Sequence, residues 1–339
     1  MDDTTTMERA IRNAAVVRAS TSPNPWVGAV VTAIDGAMFD GATSPPGGQH
    51  AEIIALATAG DRAAGGALTV TLEPCAHHGR TPPCTDAIIA SGIRRVVVAV
   101  EDPDAQVAGR GIAALRAAGL EVSVGQCSTA VRDQLAPYFV HRRTMRPFVV
   151  LKLAATIDGR IAAPDGTSRW ITGPEARADA HQLRSESDAV VVGAGTVRAD
   201  DPALTVRHVT GRDPLRVVLG RIPPTARVHP CREHTGSLGE LLDDLGRQGI
   251  VQVLVEGGAS VAGSFHHAGL VDRYVLYLAP ALMGSADGSP LLRGPGSPSM
   301  SSIWRGSFRT VTRLGADLRI DLDPPACRGP AGKTNEEDV

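Results

Sequence analysis

The sequence predicts two α/β domains joined in series, and three observations carry that expectation. The chain has 339 residues, more than one hydrophobic core usually spans. Short apolar runs alternate with segments of helical period, the pattern of mostly parallel sheets covered on both faces. A basic stretch without apolar periodicity, 140–147 (VHRRTMRP), separates the halves. The expected domains are residues 1–144 and 145–323. Residues 324–339, polar and rich in Pro and Gly, are expected to be a disordered tail.

In the first half, Met7–Ala19 has helical apolar spacing, with Thr5 or Thr6 as candidate N-cap. Ser22–Pro25 is a turn. Val27–Ala33 reads as a buried strand and Ile34-Asp35-Gly36 as the turn of a hairpin. A helix is expected from His50 to Ala59, a strand at Ala67–Leu72, and a helix at Thr85–Ser91. Arg94–Val100 reads as a fully buried strand, followed by a helix at Gly111–Ala118 and a strand at Glu121–Val124.

In the second half, buried strands are expected at Phe148–Leu153, Ala189–Val192, Leu215–Leu219, Val251–Val255 and Arg273–Tyr277. Phe308–Arg313 and Leu318–Leu322 read as a hairpin. Two strand-to-helix corners carry glycines, Gly193–Thr196 and Glu256–Gly258. Each reads either as a plain turn or as a phosphate cradle. Gly193-Ala194-Gly195 begins like a dinucleotide fingerprint, but Arg198 stands where the third glycine belongs, and Asp213 precedes Pro214.

Composition excludes several classes. Hydrophobic residues make up 43% of the chain, enough for a sizeable core, and the formal net charge is −2. No polyanion-binding surface is implied, and 3% aromatic content leaves few platforms for stacking bases. Neither nucleic-acid nor membrane partners are therefore expected. Five scattered cysteines do not make a disulfide framework. No apolar run reaches transmembrane length, and the polar start MDDTTTMERA is no secretory signal. A cytoplasmic chain is expected, and so is homo-oligomerisation.

The chemistry concentrates in Gly47–Cys84. His50, Cys75 and Cys84 offer an imidazole and two thiolates, a donor set that suits Zn²⁺. Three protein ligands leave one position open for water, whose pKa zinc lowers toward about 7. Glu52, two residues after the histidine, is placed to move protons. The arrangement follows the zinc-deaminase pattern H-x-E then P-C-x-x-C, as His50-Ala51-Glu52 then Pro74-Cys75. The second cysteine departs from it, coming only after the loop AHHGRTPP. Cys75 is expected at a strand-to-helix corner, where amides would help keep its thiol ionised. His77 and His78 are rival ligands.

These motifs, TSPNPWVGAVV (Thr21–Val31), HAE and TLEPCAHHGRTPPCTDAII, resemble the deaminase domain of the bifunctional riboflavin-biosynthesis deaminase/reductase family. KLAATIDGRIA, SRWITGPEAR, GAGTVRADDPALTVR and LVEGGASVAGSF resemble its reductase domain. The resemblance spans about residues 7–323. It implies a cytidine-deaminase-like three-layer α/β/α domain followed by a dihydrofolate-reductase-like α/β domain, with Zn²⁺ and NADPH as cofactors. The implied substrates are pyrimidine ribosyl 5′-phosphates.

By position, the resemblance implies pyrimidine contact at Asn24 and phosphate contact at Arg80. Asn24 before Pro25 also reads as turn chemistry, and Arg80 as a solvated loop residue. Cofactor contacts are implied at Ala154, Trp170, Thr196, Asp200 and the run Gly258, Ala259, Ser260, Val261, Ala262, Gly263, Ser264. Substrate contacts are implied at Lys152, Ser168, Arg184, Leu204, Arg207 and Glu256. Arg184 also reads as a helix-surface arginine. Two positions depart from the family pattern. Thr43 stands where many relatives have histidine, and Gly220 where many end a strand with an acid. A paralogue acting on a related pyrimidine and a nucleic-acid base deaminase are the competing readings.

Overall fold

A computed structural model describes residues 2–77, 82–104, 107–284 and 286–325. Arg80, His78 and most of the expected tail lie outside the described residues. The first half runs α1 (Asp3–Thr21), β1 (Gly28–Thr32), β2 (Met38–Ala42), α2 (Ala51–Ala59), β3 (Ala67–Leu72), α3 (Cys84–Ala90), β4 (Arg95–Val100), α4 (Arg110–Ala117), β5 (Glu121–Val124), α5 (Ser128–Gln134) and α6 (Ala136–Thr144).

The first sheet has the order β2-β1-β3-β4-β5. It is mixed: β1 is antiparallel to β2 and to β3, whereas β3, β4 and β5 are parallel. Two glycines show why helices cover both faces. A Cβ on Gly28 would overlap the Ala10 carbonyl of α1, and one on Gly41 the Ala51 carbonyl of α2. Gly41 pairs with Ala29, the neighbour of Gly28, so the two glycines point to opposite faces. The α1 and α2 helices therefore sandwich the hairpin, giving three layers.

The second half continues β6 (Phe148–Thr156), β7 (Arg160–Ala162), α7 (Pro174–Ser185), β8 (Ala189–Gly193), α8 (Ala194–Asp200), β9 (Leu215–Leu219), β10 (Arg232–His234), α9 (Leu238–Arg247), β11 (Gln252–Val255), α10 (Ala259–His267), β12 (Arg273–Ala279), β13 (Ser289–Pro290), β14 (Ser307–Leu314) and β15 (Asp317–Asp323). The large sheet has the order β10-β9-β8-β11-β6-β12-β15-β14. Strands β10 to β12 are parallel along it, and the terminal hairpin is antiparallel. Alternation along β6 feeds both faces. Val149, Leu151 and Leu153 pack with Leu241, Leu245 and Phe265 of α9 and α10, while Phe148 and Val150 pack with Ala176, Ala180 and Leu183 of α7.

The basic stretch expected to separate the halves is not irregular chain. α6 runs through it to Thr144, and β6 starts at Phe148. Tyr138 and Phe139 belong to the first core, whereas Ala136 and Val140 pack against the α7 face of the second sheet. With one flank on each core, α6 shows no single apolar stripe, so periodicity did not reveal it. No helix among the described residues is long and apolar enough to cross a membrane.

Candidate active sites

In the first half, His50 is the N-cap of α2, Cys75 lies in the loop after β3, and Cys84 opens α3. His50 Nδ1 is 3.1 Å from Cys84 Sγ and 3.7 Å from Cys75 Sγ. All three donor atoms fall within 4.8 Å of one another. Zinc bonds of about 2.0–2.3 Å at tetrahedral angles put donors roughly 3.5–3.8 Å apart, so this set fits one zinc ion. Cys75 itself is not at a helix start, contrary to expectation, because eight residues intervene before α3. The helix still reaches it: the Cys84 N–H donates to Cys75 Sγ at 3.4 Å. His77 is exposed and stands apart from this cluster.

The electrostatics suit a metal centre. The Cys84 thiol, the His50 ring and the Cys84 amide hold Cys75 well below the usual thiol range. Cys84 is pushed up by Cys75 and by burial, as expected when two sulfurs share one negative charge. Glu52, on the first turn of α2, is 4% exposed. Burial raises its carboxyl above the ordinary range, and the Cys75 charge adds to that. His50, Cys75 and Cys84 all act on its carboxyl, so the acid borders the ligand set.

Three neighbours complete the picture. Asn24 is half-buried in the turn before β1, its N–H bonded to the Thr21 carbonyl. Thr43 is buried; its hydroxyl accepts the Val27 N–H at 3.1 Å and its own N–H donates to the Val27 carbonyl at 3.0 Å. The hydroxyl thus pins the hairpin. Glu73 is a residue that sequence reasoning missed. Two positions before Cys75 and 4% exposed, its carboxylate accepts N–H groups from Asp102, Gly109, Gly111 and Ile112 at 2.8–3.2 Å. It ties the cysteine loop to the start of α4.

In the second half, a cleft of about 1080 Å³ opens at the carboxyl ends of β6, β8 and β11, where open parallel sheets bind ligands. Lys152, Ser168, Arg184, Leu204, Arg207 and Glu256 line it, as do Ala154, Trp170, Thr196, Asp200 and Gly258–Val261. The register explains the central pair. Leu151 lies opposite Val255, which sets Lys152 beside Glu256.

Arg184 is not a surface arginine. Its guanidinium grips Glu256 with two bonds of 2.8 and 2.9 Å, and it donates to the Thr205 carbonyl at 2.7 Å. Burial alone would raise the Glu256 carboxyl, but the Arg184 and Lys152 charges outweigh it and hold it low. Burial drives the Lys152 ammonium down, with Glu256 opposing. The Lys152 Nζ sits 5.7 Å over the Tyr277 ring, whose hydroxyl donates to Asp179.

The glycine-rich run is corrected in part. Ala262, Gly263 and Ser264 lie outside the cleft lining, because only the first turn of α10 faces the cleft. Ala262 is fully buried in the core, and a Cβ on Gly263 would overlap the Arg293 carbonyl. Ser264 turns back to bond the Ser260 carbonyl. His181, one turn before Arg184, also lines the cleft and was not anticipated. The i, i+3 spacing to Arg184 on an α-helix was its one sequence signal.

Two family models match the chain. One described as the cytidine and deoxycytidylate deaminase zinc-binding region covers residues 1–100, and the RibD C-terminal domain covers 147–319. Riboflavin biosynthesis protein RibD of Escherichia coli is 38% identical over 95% of this chain and 99% of its own length. That of Mycobacterium tuberculosis is 41% identical over 93% and 96%. Among solved structures, Acinetobacter baumannii RibD superposes with a TM-score of 0.88 at 36% identity, covering 95% of this chain and 98% of that one. The Thermotoga maritima diaminohydroxyphosphoribosylaminopyrimidine deaminase/5-amino-6-(5-phosphoribosylamino)uracil reductase gives 0.87 at 33%, with the same coverage. With a zinc-type donor set in one half, a polar cleft in the other and relatives matching nearly end to end, the chain belongs to the RibD family of bifunctional, zinc- and NADPH-dependent deaminase/reductases of riboflavin biosynthesis.

Proposed function

We propose that residues 1–144 deaminate 2,5-diamino-6-ribosylamino-4(3H)-pyrimidinone 5′-phosphate. Residues 145–323 then reduce the product, 5-amino-6-(5-phosphoribosylamino)uracil, to its ribitylamino form. The observation that carries this reading is the convergence of His50, Cys75 and Cys84 on one point beside the buried Glu52. Those three side chains would hold zinc, which would supply Lewis acidity and lower the pKa of a bound water. Glu52, its carboxyl raised by burial, holds a proton more readily than an exposed acid and delivers it to the nitrogen that departs as ammonia. Asn24, with an amide that both donates and accepts, is assigned to the pyrimidine edge. Arg80 is assigned to the 5′-phosphate.

In the cleft, NADPH supplies the hydride. Ala154, Trp170, Thr196, Asp200 and the first turn of α10 are assigned to the cofactor. Ser168, Leu204 and Arg207 are assigned to the ribosyl phosphate. Arg184 grips Glu256 and holds its carboxyl low, and Glu256 opposes the burial that drives the Lys152 ammonium down at the cleft floor. Homo-oligomerisation, a cytoplasmic location and the absence of nucleic-acid partners belong to the same proposal. The last is supported by the near-neutral, aromatic-poor composition.

Glu52→Gln should lower deamination by about 10²-fold or more while zinc stays stoichiometric by metal analysis. NADPH oxidation on pre-deaminated substrate should continue unchanged. Mass spectrometry of products, with and without NADPH, reads both steps. Loss of both activities together would contradict independent sites.

A further inference from the structure

We infer that His181 is a positioning residue of the reductase cleft: a neutral imidazole whose Nε2–H is fixed to donate to the 5′-phosphate of the ribosyl substrate. The inference rests on the reductase reading of residues 145–323.

The tautomer follows from the partners of Nδ1. The Arg207 backbone N–H donates to it at 3.1 Å, and the Arg184 guanidinium faces it at 3.3 Å. Two donors aimed at one nitrogen leave it no proton of its own, so the ring proton sits on Nε2. Among the described residues no acceptor meets Nε2, and it is not among the sealed, unpartnered polar atoms. The residue is 8% exposed and lines the cleft, so Nε2 opens into it.

The surroundings say what it would meet. The groups facing the ring are Arg184 on its own helix, Arg207 and His208 after α8, and Glu256 at the end of β11. Glu256 is already neutralised by Arg184. Arg207 spends one nitrogen on the Thr205 hydroxyl at 2.9 Å and keeps its remaining donors. Two arginines against one glutamate leave net positive charge beside the ring, which matches a phosphate monoester. Burial and the two arginines keep the ring uncharged, at a pKa of about 4.

A second observation is independent of the ring. The segment facing it holds three non-glycine residues at positive φ: Asp201 at 40°, Leu204 at 53° and His208 at 70°. Such conformations persist where surrounding bonds fix them, often at ligand clamps. Here the fixing bonds are Val206 N–H to Asp213 at 2.7 Å, Arg184 to the Thr205 carbonyl, and Arg207 N–H to His181. His181 thus adds one bond to a segment that Asp213 and Arg184 also hold, while keeping its other nitrogen for the ligand.

Two variants separate the functions of the ring. His181→Asn retains an acceptor near Nδ1 and loses the distal donor. His181→Gln retains a distal N–H and loses the strap to Arg207. Calorimetric titration of the zinc-loaded, full-length protein with ribose 5-phosphate and with ribose, plus steady-state reduction kinetics, forms the test. The Asn variant should bind ribose 5-phosphate about 10-fold more weakly, with KM raised and kcat and NADPH affinity little changed. The Gln variant should stay within about threefold of the wild type. The reverse order would show that His181 is only a strap and overturn the proposal. Equal weakening toward ribose and ribose 5-phosphate would overturn the phosphate assignment. If the wild-type protein neither binds ribose 5-phosphate nor reduces the uracil substrate, the reductase reading fails instead.

Discussion

Glu73 accepts four backbone N–H groups from the 102–112 segment and lies two residues from a zinc-site cysteine. A glutamine there would turn donors toward donors. Glu73→Gln should cost about 2–4 kcal/mol in denaturant unfolding of the first half, and zinc should dissociate faster from it by chelator competition. An unchanged midpoint would show that the four bonds are dispensable. The residue also marks what a sequence can disclose. His50, Glu52, Cys75 and Cys84 were legible because coordination chemistry restricts residue type and order. Glu73 and His181 were not, because the backbone amides that define their roles are brought close only by the tertiary fold. Thr43 carries the same lesson. Its departure from the family pattern could be seen, but not that its hydroxyl is engaged with Val27.

At the scale of elements, strands such as Ala67–Leu72 and Leu215–Leu219 were read with their true limits because short runs rich in Val, Leu and Thr favour extended chain. Helix α9 was missed although Ser237 and Glu240 spell a capping box, here formed with both bonds. In α10, the glycine run looked like one long cofactor turn, yet only the first turn of this helix has free N–H groups and lines the cleft. Strand β14 ends the large sheet and exposes Phe308 at 73% and Val311 at 57%. An open apolar edge is a template for pairing. On the homo-oligomer reading, the wild type should elute as an oligomer by size exclusion with light scattering, and Val311→Lys should shift it toward monomer. A monomeric wild type would dispose of that reading.

For the whole molecule, the halves meet where Arg18 of α1 reaches Glu186 at 3.2 Å and Gln252 at 2.8 Å. Their stabilities should nonetheless respond differently to acid. His181 is held near 4, below the ordinary 6.5. Between those values the unfolded chain takes up a proton that the folded chain refuses. This group's contribution is therefore full above about pH 6.5 and falls as pH drops toward 4. Calorimetric melts at pH 7 and pH 5 should show the second half losing more Tm than a His181→Asn protein loses. Equal losses would remove the titration argument.

Helix α6 bears on any attempt to split the gene. A protein cut after Thr144 would leave the downstream fragment without Ala136 and Val140, baring apolar surface beside α7. A cut before Ala136 would instead strip Tyr138 and Phe139 from the upstream one. Separately expressed fragments should each keep their solubility only when both carry their own copy of this helix.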